Sequence, residues 1–209
     1  MNWGVVVLTA PRPMPTLDRT LASLARAGWR YALVACDDPP GGHFRAWTRA
    51  LAAVRAVAPC ADVYFVVEDD VVFCRDLRPY LEGCLWPDQP ARIALCSVFT
   101  PAAYRQATPG WHQQRRGFHL VASQAWILPC ETVTELLGEF QDVRSAHNAD
   151  WMVGDWAQRT HRSVWYHTPS LAQHIGLGNS ALGDNLISDL RVASDFVGEF
   201  APPEQLIAR

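Results

Sequence analysis

The chain contains no lysine: all 18 basic residues among its 209 are arginines. Codon bias in a GC-rich genome accounts for such a composition, and the absence is useful for elimination. A phosphate-binding P-loop, a protein kinase and a Schiff-base enzyme each need a lysine, so these three classes are excluded. Sugar-nucleotide pyrophosphorylases lean on lysines and a Gly-rich opening loop, and neither is present. No apolar run reaches the length of a membrane span. The opening Met1-Asn2-Trp3 is not a basic segment followed by an apolar stretch and a cleavage site, so no signal peptide is read and a cytoplasmic protein is expected. The six cysteines (36, 60, 74, 84, 96 and 130) show no Cys-x-x-Cys spacing. They read as reduced, mostly buried thiols, with a zinc site as the alternative. A net charge of −3 offers no bulk attraction for nucleic acid. Internal repeats and dividing linkers are also missing.

What is present is an ordinary globular mix, 49% hydrophobic and 19% charged, long enough for one well-buried domain with at most a small appendage. Residues 64–73 are its most informative stretch. Tyr64-Phe65-Val66-Val67 reads as a strand buried on both faces, and Glu68-Asp69-Asp70 then interrupts it before Val71-Val72-Phe73. Adjacent carboxylates repel and need a cation or solvent to hold them. Oxygen ligands at the end of a parallel strand suit a hard divalent ion carrying a phosphate, which suggests an enzyme handling a nucleoside diphosphate.

The hydrophobic pattern places the cluster. Strands are expected at residues 3–8, 31–36 and 63–67, with helices from about Thr16 to the stop at Gly28 and from about Phe44 to just before Pro59. This alternation predicts an α/β fold with a parallel, right-handed sheet, whose ligands bind beyond the carboxyl ends of the strands. Residues 9–12, Asp37-Asp38 and 68–70 all fall on that edge. Further strands are read at 92–99, 119–128 and 164–167, with helices from about Glu131 and over 150–159. Residues 100–117 read as a long polar and aromatic loop, of a length that is more often functional than accidental. Residues 176–195 are rich in Gly, Asn and Ser and lead into a tail.

Four segments in this order resemble the GT-A glycosyltransferases, the nucleotide-sugar transferase fold. Glu68-Asp69-Asp70 after an apolar strand resembles the family's Asp-x-Asp motif. Ala149-Asp150-Trp151, opening a helix, resembles its later acidic motif. Residues 169–176, Pro-Ser-Leu-Ala-Gln-His-Ile-Gly, resemble the C-terminal segment with a metal-binding histidine, and the Gln-His-x-Gly wording resembles the N-acetylglucosaminyltransferase IV group. Residues 5–12 resemble the first strand and nucleotide loop. The likeness spans roughly residues 3–180 and rests on the ordered set. The Gly-rich loop that usually precedes the second acidic motif is hard to place; Gly117 or the small residues around Ser123 are the candidates.

The resemblance implies a mostly parallel, Rossmann-like sheet flanked by helices, with a smaller acceptor-side portion. It divides the single domain, 1–209, into a nucleotide-sugar half (about 1–98), an acceptor and catalytic half (about 99–180) and a tail (181–209). It implies metal-dependent, inverting transfer of a hexose from a UDP-sugar to an acceptor hydroxyl. Asp70 would ligate Mn2+ or Mg2+ beside the diphosphate, with Glu68 or Asp69 on the ribose or a metal-bound water. His174 would complete the coordination, and an imidazole among oxygens favours manganese. Asp150 would be the general base, although a helix N-terminus also makes it an ordinary capping residue; Asp155, one turn on, competes for the role. Thr9, Ala10, Arg12, Asp37, Asp38 and Arg45 are the remaining nucleotide-sugar candidates, the arginines because a guanidinium fork matches phosphate.

The acceptor side is assigned to Trp111, His112, Arg115, Arg116 and Trp126. Trp111 is the stacking candidate, whereas Trp47, Trp126, Trp151 and Trp156 occupy helix or strand positions that also read as core. With no anchor or lectin module, a compact bacterial or phage enzyme is expected, acting in the host cytoplasm if viral. Its acceptor could be a glycan, a protein, a small metabolite or a hydroxymethylated pyrimidine in DNA. Two other classes stay open: a non-catalytic nucleotide- or metal-binding module, and a metal-dependent phosphotransferase or nuclease.

Overall fold

A computed structural model describes residues 1–38, 42–115, 119–143, 145, 147–177 and 190–204. The first half follows the hydrophobic pattern closely. Strand β1 (Trp3–Thr9), helix α1 (Leu17–Ala27), β2 (Leu33–Cys36), α2 (His43–Val57) and β3 (Val63–Glu68) alternate as expected, and β1 pairs in parallel with both β2 and β3. In β1, Val5 and Val7 enter one core while Val6 and Leu8 enter the other, so the strand is apolar on both faces because both faces are covered. Helix α1 ends where Gly28 adopts φ 113° and the Gly28 and Trp29 amides donate to the Ala25 and Leu24 carbonyls.

The third strand ends at the acids, as expected. β3 stops at Glu68, Asp69 and Asp70 make a turn, and β4 (Val71–Phe73) starts in a different sheet. Next come α3 (Leu77–Cys84), β5 (Ile93–Ser97), β6 (Gly110–Gln113), β7 (Ala125–Pro129), α4 (Cys130–Phe140), α5 (Ala149–Arg159), β8 (Ser163–Thr168) and β9 (Ala172–His174). The main sheet has the order β2-β1-β3-β7-β5-β8-β6. β7 and β6 run against their neighbours, so five of its seven strands share one direction. Helices α2, α4 and α5 contribute to one core, α1 and α3 to the other. A small antiparallel pair, β4·β9, lies apart from the main sheet.

Three expectations change. Residues 100–117 are not a structureless loop: they carry a 3-10 turn at Ala102–Tyr104 and the edge strand β6. The strand expected over 119–128 is confined to β7, because residues 119–124 bond outward to side chains and to other elements instead. Helix α3 has eight residues, with Pro79 in its first turn, where proline is tolerated, and Gly83 near its end. That punctuation hides it from a periodicity search. Among the described residues no helix is long and apolar enough to cross a membrane.

Candidate active site

The carboxyl ends of β1, β2 and β3 bring Thr9, Asp37 and the acidic turn to one edge. The turn is held by its neighbours. The Asp69 amide donates to the Leu8 carbonyl at 3.0 Å, extending the β1·β3 ladder by one bond. The buried Thr20 hydroxyl of α1 donates to the Asp69 carbonyl at 2.7 Å and accepts from the Val71 amide at 3.2 Å. Thr9 Oγ1 donates to Asp69 Oδ2 at 2.5 Å. Both aspartates are buried, at 2% and 3% exposure, and Glu68 is half-buried.

Arg12 closes over the pair, donating to Asp70 Oδ2 at 2.8 Å and to Asp69 Oδ1 with its other terminal nitrogen. Its side chain is only 7% exposed, so a whole guanidinium is desolvated against two carboxylates. Burial lowers the Arg12 proton affinity, but Asp70 and then Asp69 more than reverse this, and the net shift is upward. The two acids diverge. Burial, the largest influence on Asp69, leaves it above the ordinary aspartate range despite Thr9 and Arg12. At Asp70 burial also pushes upward, but His174 and Arg12 outweigh it and the carboxyl ends below that range.

The β4·β9 register puts Val71 opposite His174, and the Ile175 amide donates to the Asp70 carbonyl at 2.8 Å. His174 Nε2 therefore lies 3.1 Å from Asp70 Oδ2. Its other nitrogen, Nδ1, is 3.2 Å from the Arg191 carbonyl, which can only accept, so Nδ1 carries a proton. Nε2 then meets the carboxylate oxygen either as a second N–H donor or as a bare lone pair. Two acceptors at that distance need a proton or a cation between them. Asp70 Oδ1 is buried and has no hydrogen-bond partner among the described residues. A methyl group on Gly176 would overlap Asp70 Oδ2, so only glycine leaves this carboxylate its place. One imidazole nitrogen and a carboxylate with an unmatched oxygen suit a divalent cation whose other ligands come from a bound molecule. Among the described residues no group of three or more His, Cys, Asp or Glu side chains is arranged to hold a metal.

Asp150 lies in the first turn of α5, where Oδ1 accepts from the Trp151 amide at 2.9 Å. Burial, the largest influence, raises its proton affinity, opposed by hydrogen bonds from the Trp151 and Ala122 backbones and by His43. Asp155 is 73% exposed and paired with Arg159 at 3.1 Å. Five residues further along a helix lies roughly 140° around it, so Asp155 faces solvent and does not share the site with Asp150.

The remaining expected residues divide. Ala10 sits half-buried at the edge, and Asp37 is buried there with Arg49, not Arg45, at 4.0 Å. Asp38 and Arg45 are exposed. Trp126 is fully buried against Trp47, with ring centres 5.7 Å apart, and belongs to the core, not to an acceptor surface. Trp111 is not an open platform either: its indole N–H donates to the Cys84 carbonyl at 2.9 Å and its ring packs edge-on against His167. His112 and Arg115 line a cavity of about 300 Å³ with Tyr104, Gln106 and Tyr166. Arg116 and Gly117 lie outside the described residues. The exposed indole at the site is Trp151, 51% accessible, next to Asp150 and stacked on His119 at 4.5 Å.

Two polar residues at this edge have roles that the sequence alone does not show, Ser123 having entered only as a place for the Gly-rich loop. His43 opens α2, its Nδ1 3.1 Å from the Ala149 amide and its Nε2 3.2 Å from Glu68 Oε1. Ser123 donates to that same Glu68 oxygen at 2.5 Å. A lone histidine and a lone serine carry no motif; only their convergence on Glu68 marks them.

No protein-family model matches the sequence, and no curated protein does. Solved structures do resemble the fold. A glycosyltransferase involved in the glycosylation of the major capsid of PBCV-1 superposes with a TM-score of 0.51 at 11% identity, over 79% of this chain and 81% of that one. A197 from STIV superposes with a TM-score of 0.50 at 11% identity, over 81% and 84%. The galactosyltransferase LgtC, in complex with donor and acceptor sugar analogues, is more distant: TM-score 0.33, 12% identity, over 77% and 72%. The chain shares the fold of the first two of these structures, a mostly parallel central sheet flanked by helices.

Proposed function

We propose that this protein is a glycosyltransferase that moves a sugar from a nucleoside diphosphate, a UDP-sugar, to an acceptor hydroxyl with inversion. One observation carries the reading. On this fold, the buried Asp70 keeps one oxygen without a partner among the described residues and turns the other toward His174, at the strand edge where ligands bind in open α/β sheets.

Asp70 and His174 would hold a manganese or magnesium ion, whose chemistry is to offset the charge that develops on the departing diphosphate. Arg12 can turn one of its donors from the carboxylates to the same phosphates, since a guanidinium fork fits both. Glu68, with Oε1 occupied by Ser123 and His43, offers Oε2 to a ribose hydroxyl. Asp150 takes the proton from the acceptor hydroxyl as its oxygen attacks the anomeric carbon. Its raised proton affinity makes it a stronger base than a solvated aspartate. Trp151 lies next to it and would stack on the acceptor ring, in place of Trp111. Glycans and hydroxymethylated pyrimidines both present a hydroxyl on or beside such a ring.

The test is thermal melting with a panel of UDP-sugars, with and without Mn2+ or Mg2+, followed by transfer assays on glycans and on hydroxymethylated duplex DNA. The wild type is stabilised by a UDP-sugar only with the cation, Asp70→Ala loses the shift, and Asp150→Asn binds but does not turn over. Full turnover by Asp150→Asn would remove the base assignment. Nucleotide binding with no transfer or hydrolysis would instead mark a binding module.

A further inference from the structure

The helix carrying Asp150 and the acidic turn carrying Asp70 are distant in sequence, and the structure joins them through one side chain. We infer that His43 is a positioning residue that couples donor binding at Glu68 to the placement of Asp150; this rests on the transferase reading above.

The geometry assigns each atom of the imidazole a task. The Ala149 N–H, in the first turn of α5, points at His43 Nδ1 at 3.1 Å. An amide can only donate, so Nδ1 accepts and the ring proton lies on Nε2. Nε2–H faces Glu68 Oε1 at 3.2 Å, with Ser123 Oγ also 3.3 Å away. Ser123 in turn donates to Glu68 Oε1 at 2.5 Å. One Glu68 oxygen thus receives two donors, and Oε2 makes no hydrogen bond among the described residues. The Glu68 amide is fixed as well, donating to the Gln124 carbonyl at 2.9 Å.

The arrangement is directional. Ala149 immediately precedes Asp150, so the Nδ1 contact sets where α5 begins and hence where the Asp150 carboxylate lies. The Nε2 contact sets which Glu68 oxygen meets the donor. The contacts reach across 106 and 25 positions of the chain, and the His43 side chain is only 9% exposed, so solvent does not easily replace either one. Burial, the largest influence, opposes a second ring proton, but Glu68, Asp150 and Asp37 outweigh it and the net shift is upward; that proton would have to sit on Nδ1, where the Ala149 amide donates.

Two substitutions separate the tasks because they keep different halves of the ring. Asn places an oxygen where Nδ1 lies and has nothing at Nε2. Gln places an N–H donor at the Nε2 position and has no acceptor at Nδ1. A hydrogen bond to a charged group is worth roughly a factor of ten or more in binding. In calorimetric titration of UDP with Mn2+, His43→Asn is expected to weaken binding about tenfold, and Ser123→Ala to act in the same direction, while His43→Gln stays within about twofold of wild type. In transfer or donor hydrolysis His43→Gln loses kcat, about tenfold, with donor KM unchanged, and His43→Asn raises KM while keeping kcat. If the two substitutions change the same parameter to the same extent, the coupling is refuted. Long-range 1H–15N correlation of the imidazole gives a readout free of ligand and turnover: it should find the Nε2–H tautomer, and the Ala149 amide resonance should move in His43→Gln and not in His43→Asn. An Nδ1–H tautomer overturns the link itself. A wild type that keeps this tautomer but neither binds UDP nor transfers sugar overturns the transferase reading instead.

Discussion

Arg12 already supplies a positive charge at the acids that a divalent cation would also neutralise. On the proposed function a guanidinium and a metal ion would compete for Asp70, but both would favour a diphosphate arriving between them. Replacing Arg12 with Met should therefore have opposite effects on two ligands. Mn2+ alone, followed by electron paramagnetic resonance, should bind several-fold more tightly, whereas UDP in saturating Mn2+ should bind more weakly. If both affinities fall, Arg12 is only a scaffold for the acids. His167 makes a different prediction. Buried at 1% exposure, it donates from Nδ1 to the Pro169 carbonyl at 2.7 Å and accepts at Nε2 from the Tyr80 hydroxyl at 2.8 Å. Burial is the main reason its proton affinity falls from 6.5 to about 4. A folded value below the unfolded one means that the unfolded chain binds the extra proton. The associated stability is whole above pH 6.5 and drains as the pH falls toward 4. The full window corresponds to about 3 kcal/mol, read from urea denaturation at several pH values, and His167→Gln should flatten it. The sequence offered Arg12 as a phosphate candidate but not its pairing with Asp69 and Asp70, and His167, one histidine of 7, carried no signal at all.

Helix α5 was legible as an element and Asp150 as its opening carboxylate. How closely it packs was not. A Cβ on Gly154 would lie 2.8 Å from Leu120 Cβ and 3.3 Å from the Leu120 amide nitrogen, so the helix seats directly on the segment whose Ala122 amide bonds Asp150. Alanine usually strengthens a helix interior by about 1 kcal/mol over glycine. Here Gly154→Ala should do the reverse, lowering Tm by roughly 2–10 °C, since overpacking costs about 1–3 kcal/mol. Because α5 moves, turnover should fall more than UDP affinity. An unchanged or raised Tm would show that α5 can shift without strain. The β4·β9 pair is the opposite case: three residues per strand are too few for a periodicity to declare itself, and the motif at 169–176 pointed to His174 without revealing the strand that presents it.

At the scale of the whole molecule, β7 inserts between β3 and β5, so strands from both sides of residue 98 share one sheet. Intrinsic tryptophan fluorescence and far-ultraviolet circular dichroism should report one coincident urea transition. Two separated midpoints would mean that the halves fold as distinct units. Local pattern alone determined the strand–helix alternation of residues 3–68, the buried character of β1 and β3, the edge on which the acids fall, and the classes excluded by the missing lysines. These follow because hydrophobic period and strand termination are properties of neighbouring residues. Only the tertiary structure decided that Arg12 reaches Asp70 across 58 positions and that His174 reaches it across 104. It alone decided that His43 joins Glu68 to α5, and that Trp151 is exposed while Trp126 is buried and Trp111 is half-buried against Cys84 and His167. Such pairings depend on sheet order, on the β4·β9 register and on how closely α5 seats. An indole on an amphipathic element looks the same in the sequence whether a partner covers it or solvent does.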